Sequence, residues 1–163
     1  MKNRLFIFIA LFFCFSMAAA ETGSLFGKNY QGDFEKPGFG VGLNYLGIGL
    51  KAGVSSKIVL EAKYQLDRDI TVMGLRGYYY FNTDSRVQWF MGFEGDTISF
   101  KGEDSKGTGL LGELLIGTEI LITKYTSVQL DLGPAMISLN DSATSLSVSG
   151  MEYIANIGVN LYY

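Results

Sequence analysis

The reactive side chains of this sequence exclude several kinds of catalytic site. The 163 residues include no histidine and one cysteine. Cys14 lies within an N-terminal apolar run and precedes Phe15, Ser16 and Met17, a context that does not predict a lipid-attachment cysteine. A Ser-His-Asp triad, a Cys-His pair and a histidine-ligated zinc are therefore excluded.

The remaining candidates for chemistry are acidic residues and glycine clusters. Glu113 and Glu119 share a strand parity, so a two-carboxylate hydrolase stays formally possible. Acids inside a narrow barrel are more often partners of Lys or Arg. The run 67–69 (Asp-Arg-Asp) lacks the downstream Gly and Glu of a calcium loop, and the glycines of 38–49 lack the Gly-Lys-Ser/Thr ending of a phosphate loop. We expect no enzymatic activity, cofactor or metal.

Period-2 alternation is the main structural signal of the chain. It is clearest in 153–163, where apolar or aromatic residues occupy every second position, as in a two-faced β-strand. Residues 110–122 also fit a helical period, but Gly112, Gly117 and the β-branched residues favour a strand. Eight strands are predicted, at 38–45, 48–54, 58–66, 71–81, 87–94, 110–122, 128–133 and 153–163.

Charge falls on only one parity of these strands. Charged side chains that face one another across a lumen must pair or hold water, because unpaired buried charge is costly. The sequence therefore predicts an interior network, centred on Arg76 and Lys63, that plugs the barrel. Its members are Lys51, Glu61, Lys63, Arg76, Glu94, Glu113, Glu119 and Asp131.

The lengths of the connections and the positions of the aromatic residues predict how such a barrel would lie in a membrane. With eight strands, the short turns 54–57, 81–86 and 123–127 share one side, and the polar stretches 95–107 and 138–147 share the other. Transmembrane barrels have short periplasmic turns and long external loops. Aromatic residues of the apolar parity form two predicted girdles, one of Phe39, Tyr79, Phe81, Trp89 and Tyr163, the other of Tyr45, Tyr64, Phe93 and Tyr153.

The N-terminal residues predict export. Lys2 and Arg4 precede an apolar run that is short for a membrane span and ends at small residues, so 1–20 is expected to be a cleaved signal peptide with Ala18 and Ala20 at the cleavage site. The alternative is an uncleaved helix. Residues 21–37 would form a periplasmic arm. A net charge of −3 and the absence of a basic patch disfavour a nucleic-acid partner.

The C-terminal strand resembles the assembly signal of small eight-stranded outer-membrane β-barrel proteins of the A and X type. Asn156, Gly158, Leu161 and Tyr163 occupy the places of that signal, with Tyr where Phe is commoner. The resemblance implies an up-and-down transmembrane barrel over 38–163 and recognition by the barrel-assembly machinery. Barrel enzymes that remodel lipids depend on a histidine, so the resemblance does not imply their activity here.

We therefore expect a non-enzymatic protein of the bacterial outer membrane, with lipid around it and an envelope-structural or surface-interaction role through its external loops. A narrow channel for small solutes or ions is one alternative. A soluble, lipocalin-like barrel that binds a ligand is the other, because alternation alone does not say which parity faces inward.

Overall fold

The computed structural model of the protein describes residues 38–44, 47–102, 106–142 and 144–163. All eight elements in these ranges are strands: β1 (Phe39–Asn44), β2 (Gly47–Gly53), β3 (Ile58–Asp67), β4 (Ile70–Tyr80), β5 (Val87–Lys101), β6 (Lys106–Leu121), β7 (Thr126–Asp141) and β8 (Ser147–Tyr162). Each strand pairs antiparallel with the next, and β8 pairs with β1 to close the barrel. The predicted all-β, eight-stranded antiparallel barrel is confirmed, and the segment that also fitted a helix is a strand.

The two parities of the strands face opposite environments. In β4, Leu75 is 68% exposed and the next residue, Arg76, is 2% exposed. The same contrast recurs around the barrel: large apolar side chains point outward, and most of the buried side chains are polar or charged. This inverts the usual distribution, in which charged residues are almost never fully buried. A ligand-binding soluble barrel requires the opposite arrangement.

The prediction of two long loops, at 95–107 and 138–147, is wrong. Strand β5 continues to Lys101 and β6 begins at Lys106, so most of 95–107 is paired strand. Likewise β7 continues to Asp141 and β8 begins at Ser147. The connections are short at both ends of the barrel. We call the end with the connections β2–β3, β4–β5 and β6–β7 the turn end, and the opposite end the extended end.

The error has a physical cause in β5. Alternation continues beyond Asp96, but the faces exchange polarity. Thr97 and Ser99 point outward, whereas Ile98 and Phe100 lie on the half-buried inner face. Backbone pairing does not require either face of a strand to stay apolar, so loss of the apolar pattern does not mean loss of the strand.

The barrel wall has a part with short strands and a part with long strands. Strands β1 and β2 have 6 and 7 residues, whereas β6, β7 and β8 have 16 each. The extra residues of the long strands lie at the extended end. Pro134 interrupts the β6–β7 ladder, since the paired residues skip from Glu113–Ala135 to Ile116–Leu132.

Candidate functional site in the barrel interior

A small aromatic core fills the lumen near the turn end. The Tyr78 and Phe90 rings meet edge to face with centroids 5.2 Å apart, and Tyr80 lies 5.3 Å from Phe90. Val59 and Leu115 complete this cluster. The space for Phe90 and Leu115 comes from Gly117 and Gly92, where a Cβ atom would approach their side chains to within 2.5 and 2.7 Å. Aromatic packing therefore closes this part of the lumen.

Ion pairs cross the lumen on the extended side of that core. The Lys63 ammonium contacts Glu94 and lies 3.0 Å from an Asp96 oxygen. The Arg76 guanidinium contacts the second Glu94 oxygen, and its Nη1 lies 4.0 Å from Asp131. Glu94 is the direct cross-strand partner of Arg76, whereas the contact between Arg76 and Asp131 reaches from β4 to β7 across the lumen. We call these five residues the ion-pair cluster.

A third cation, Lys51, joins β2 to this network. Its ammonium lies 3.9 Å from Glu61 and donates a hydrogen bond to Gln129. Glu61 also accepts hydrogen bonds from the Tyr78 hydroxyl and, at 3.1 Å, from the Asn44 amide. Its carboxylate rests on Gly49, where a Cβ atom would lie 1.8 Å from Glu61 Oε1. The glycine thus leaves room for a large acid on the neighbouring strand.

Near the turn end, hydroxyl and amide groups surround the carboxylate of Glu119. It accepts hydrogen bonds from the hydroxyls of Tyr80, Ser127 and Tyr162, and from the Asn160 amide at 3.1 Å. The carboxylate is fully buried. We call these five residues the Glu119 cluster. Hydrogen bonds to a charged acceptor are stronger than neutral ones, so four donors compensate much of the lost hydration.

Gln129 connects the two clusters. Its amide nitrogen donates to Asp131 at 2.9 Å, and its oxygen accepts from Lys51 and, at 3.3 Å, from Asn160. Asn160 in turn donates to Glu119. The polar interior is therefore one connected network along the barrel axis.

Glu113 has the least compensated carboxyl group. It is 1% exposed, it lies directly opposite Glu94 and Ala135, and its Oε1 has no hydrogen-bond partner. Glu113 and Glu119 both lie on β6 but face different residues, so the structure does not bring their carboxyl groups together. These two acids therefore do not form the two-carboxylate site of a hydrolase.

The structure buries all eight residues of the predicted charge network. Sequence reasoning missed that these residues have uncharged hydrogen-bond partners, which are Asn44, Tyr78, Tyr80, Ser127, Gln129, Asn156, Asn160 and Tyr162. It also missed Asp96, because the predicted strand ended at Glu94. The signal available in the sequence was that these residues lie on the inward parity of their strands. A tyrosine on that parity is equally compatible with an apolar core, so the signal did not identify a polar partner.

The four residues of the predicted assembly signal divide between the two faces of β8. Asn156 donates to Asp131 at 2.8 Å, and Gly158 lies beneath the Asn44 side chain. Leu161 and Tyr163 are exposed on the outer face. Of the nine aromatic residues in the predicted girdles, eight point outward, and Tyr45 lies outside the described residues. Ala18, Ala20 and the whole of 1–37 lie outside them too.

Within the described ranges, no group of three or more His, Cys, Asp or Glu side chains is arranged to bind a metal ion. The same residues contain no helix that is long and apolar enough to cross a membrane. No protein-family profile matches the chain, and no curated protein sequence is significantly similar to it.

Proposed function

We propose that this protein is a non-enzymatic β-barrel of the bacterial outer membrane with a structural or surface-interaction role in the envelope. The observation that carries the proposal is the inverted polarity of the barrel. An outer face of leucine, isoleucine, methionine and aromatic side chains is unfavourable in water and favourable in lipid. A soluble ligand-binding barrel would place these side chains inside.

Export and assembly follow from the same proposal. Residues 1–20 would direct secretion, with cleavage at Ala18–Ala20, and 21–37 would form a periplasmic arm. The barrel-assembly machinery would recognise the segment that contains Asn156, Gly158, Leu161 and Tyr163. The division of this segment into an inward polar half and an outward apolar half supports that role, since both faces are needed at the lipid boundary.

The packed interior favours a structural role over the alternative, a narrow channel. The ion-pair cluster and the Glu119 cluster occupy successive levels of the lumen, and their side chains are almost fully buried. A conducting path would require these contacts to open together. We expect no reproducible single-channel openings from the refolded protein in planar bilayers, and such openings would favour the channel.

A surface role would depend on the long strands, because the predicted external loops are short. Residues beyond Asp96 on β5, and their neighbours on β6, β7 and β8, extend the wall at one end. Val148 and Leu146 are 65% and 64% exposed there. Binding sites commonly lie on segments that a rigid scaffold presents, and this extension is the candidate surface.

Two matched arginine substitutions test the membrane proposal. Leu75→Arg places a charge on the outer face in the middle of β4, and Ser149→Arg places one on the outer face of β8 at the extended end. A lipid-facing arginine near the membrane centre costs about 2–4 kcal/mol and much less near the interface. Urea titration of protein refolded in lipid vesicles should therefore show a large loss of stability for Leu75→Arg and a small one for Ser149→Arg.

The opposite results are equally informative. If wild-type protein is released from membranes by alkaline extraction, the membrane proposal is wrong. It is also wrong if Leu75→Arg leaves stability unchanged, because a water-exposed arginine at that position costs little.

A further inference from the structure

The outer wall of the barrel carries a shallow groove across β3 to β7. Its lower part has a volume of about 670 Å³ and is mainly apolar, with Tyr64, Met73, Leu75 and Leu110 in its lining. An adjoining part of about 540 Å³ lies nearer the extended end and shares Met73, Thr97 and Leu110 with the first. The two parts form one continuous depression that passes from apolar to polar lining.

Gly95 lines the lower part, and its neighbour Gly112 lies beside it on β6; we call this pair of glycines the floor. Gly95 and Gly112 are direct cross-strand partners on the outward parity. A Cβ atom at Gly112 would meet nothing within 4 Å, and one at Gly95 would meet only the Phe93 ring, at 3.6 Å. Neither glycine is therefore required by packing inside the barrel. Their effect is to leave bare backbone between Leu75 and Met136, where the neighbouring rows carry large side chains.

The upper part of the groove carries a row of hydrogen-bonding groups. Thr71, Ser99, Thr108 and Asn140 are successive cross-strand partners on four adjacent strands. This row lies two residues above Met73 and Leu110, a distance of about 7 Å. Thr97 lies at the level of Met73 and Leu110, and its hydroxyl donates to the Met73 carbonyl at 3.2 Å. Four polar side chains are thus presented directly above the apolar part.

Two lysines lie beyond the polar row. Lys101 and Lys106 are cross-strand partners on the outward parity, and both are exposed. Like charges directly opposite in a sheet are destabilising. Asp69 follows Lys101 in the same row, where its backbone carbonyl accepts from the Lys101 N–H at 2.8 Å. The row thus carries two cations and one carboxylate, and an anion placed at this level would balance the remaining positive charge.

We propose that this groove is a binding site for one anionic membrane phospholipid. An acyl chain lies over the Gly95–Gly112 floor, the ester carbonyl groups accept hydrogen bonds from the row of Thr71, Ser99, Thr108 and Asn140, and the phosphate lies near Lys101 and Lys106. The order of the surfaces, apolar, then hydrogen-bonding, then cationic, matches the acyl, ester and phosphate levels of such a lipid. The inference rests on the proposed membrane location and adds a defined lipid site to it.

Native mass spectrometry of the full chain tests the site. The protein is refolded into phosphatidylcholine nanodiscs that contain a minor fraction of phosphatidylglycerol, and retained lipids are counted after release. Wild-type protein should retain one phosphatidylglycerol. The double substitution Gly95→Leu/Gly112→Leu fills the floor and should lower retention about tenfold. Gly77→Leu is the matched control, because Gly77 also lies on the outward parity, a Cβ atom there would meet only Leu60 at 3.7 Å, and it lies outside the groove.

A second variant separates headgroup recognition from shape. Lys101→Gln/Lys106→Gln leaves the apolar floor intact and should remove the preference for phosphatidylglycerol over phosphatidylcholine. Equal retention by wild type and the Gly95→Leu/Gly112→Leu variant would overturn the proposed site. So would retention of phosphatidylcholine and phosphatidylglycerol without preference by the wild type.

Failure of the site is distinguishable from failure of the membrane proposal. Incorporation of each variant into nanodiscs is measured first, by co-elution of protein and lipid. If the wild type incorporates and shows no bound phosphatidylglycerol, only the lipid site is wrong. If the wild type does not incorporate, the membrane location itself is wrong.

Discussion

The interior of the barrel compensates its buried carboxylates in two different ways. In the ion-pair cluster, Glu94, Asp96 and Asp131 face the formal charges of Lys63 and Arg76. In the Glu119 cluster, the donors around the acid are hydroxyl and amide groups. Removal of a cation leaves buried charge behind, whereas removal of a neutral donor leaves one weaker bond fewer. The two clusters should therefore differ in their sensitivity to single substitutions.

The largest effect is expected from loss of the central cation. Arg76→Met leaves Glu94 and Asp131 without the guanidinium, and should lower the free energy of unfolding by about 3–5 kcal/mol. Urea titration in lipid vesicles, followed by the fluorescence of the single tryptophan, Trp89, measures this change. The control is Arg68→Met in the exposed β3–β4 turn, which should change stability by less than about 0.5 kcal/mol. Equal losses in the two variants would contradict the importance of the ion-pair cluster.

An intermediate effect is expected in the Glu119 cluster. Glu119→Gln retains one acceptor oxygen but adds an NH₂ group among groups that already donate. The free energy of unfolding should fall by about 1–2 kcal/mol, the difference between charge-assisted and neutral hydrogen bonds. The same urea titration applies, with Glu152→Gln on the exposed part of β8 as the control. A loss as large as that of Arg76→Met would show that the two modes of compensation are equivalent.

The smallest effect is expected at Glu113. This acid faces Glu94 and has an oxygen without a hydrogen-bond partner, so Glu113→Gln removes a charge that its surroundings oppose. Stability should stay the same or rise by up to about 1 kcal/mol. Glu94→Gln is the contrasting variant, since it weakens contacts to both Lys63 and Arg76 and should be clearly destabilising. A substantial loss in Glu113→Gln would mean that Glu113 contributes to the ion-pair cluster.

Strand parity explains why part of this interior was predictable. A charged side chain on an alternating strand has one favourable direction, so Lys63, Arg76 and Glu94 could be assigned to a common interior from the sequence alone. Tyrosine has no such preference, because its ring suits lipid and its hydroxyl suits a polar lumen. Tyr80 and Tyr162 point inward, whereas their sequence neighbours Tyr79 and Tyr163 point outward. Only the register of the strands distinguishes the roles of these tyrosines.

The fold was predictable where one face of each strand keeps one polarity. From Thr97 to Lys101 the outer face is polar, so the pattern disappears while pairing continues. The Glu119 cluster was not predictable for another reason. Its donors come from β4, β7 and β8, and no local spacing shows that three strands so distant in sequence direct hydroxyl groups at one acid.

The seam between β1 and β8 has a kinetic consequence. Within the described residues it consists of five paired positions, from Gly40–Tyr162 to Asn44–Gly158, whereas β5 and β6 pair at fifteen. Every other pairing joins neighbours in the chain, and this one joins strands separated by most of the barrel sequence. Closing such a long loop lowers the conformational entropy before any contact between the two strands compensates the loss. The seam should therefore form last and open first, and the β1-facing edge of 158–162 would be the part of the finished wall that stays unpaired longest during folding.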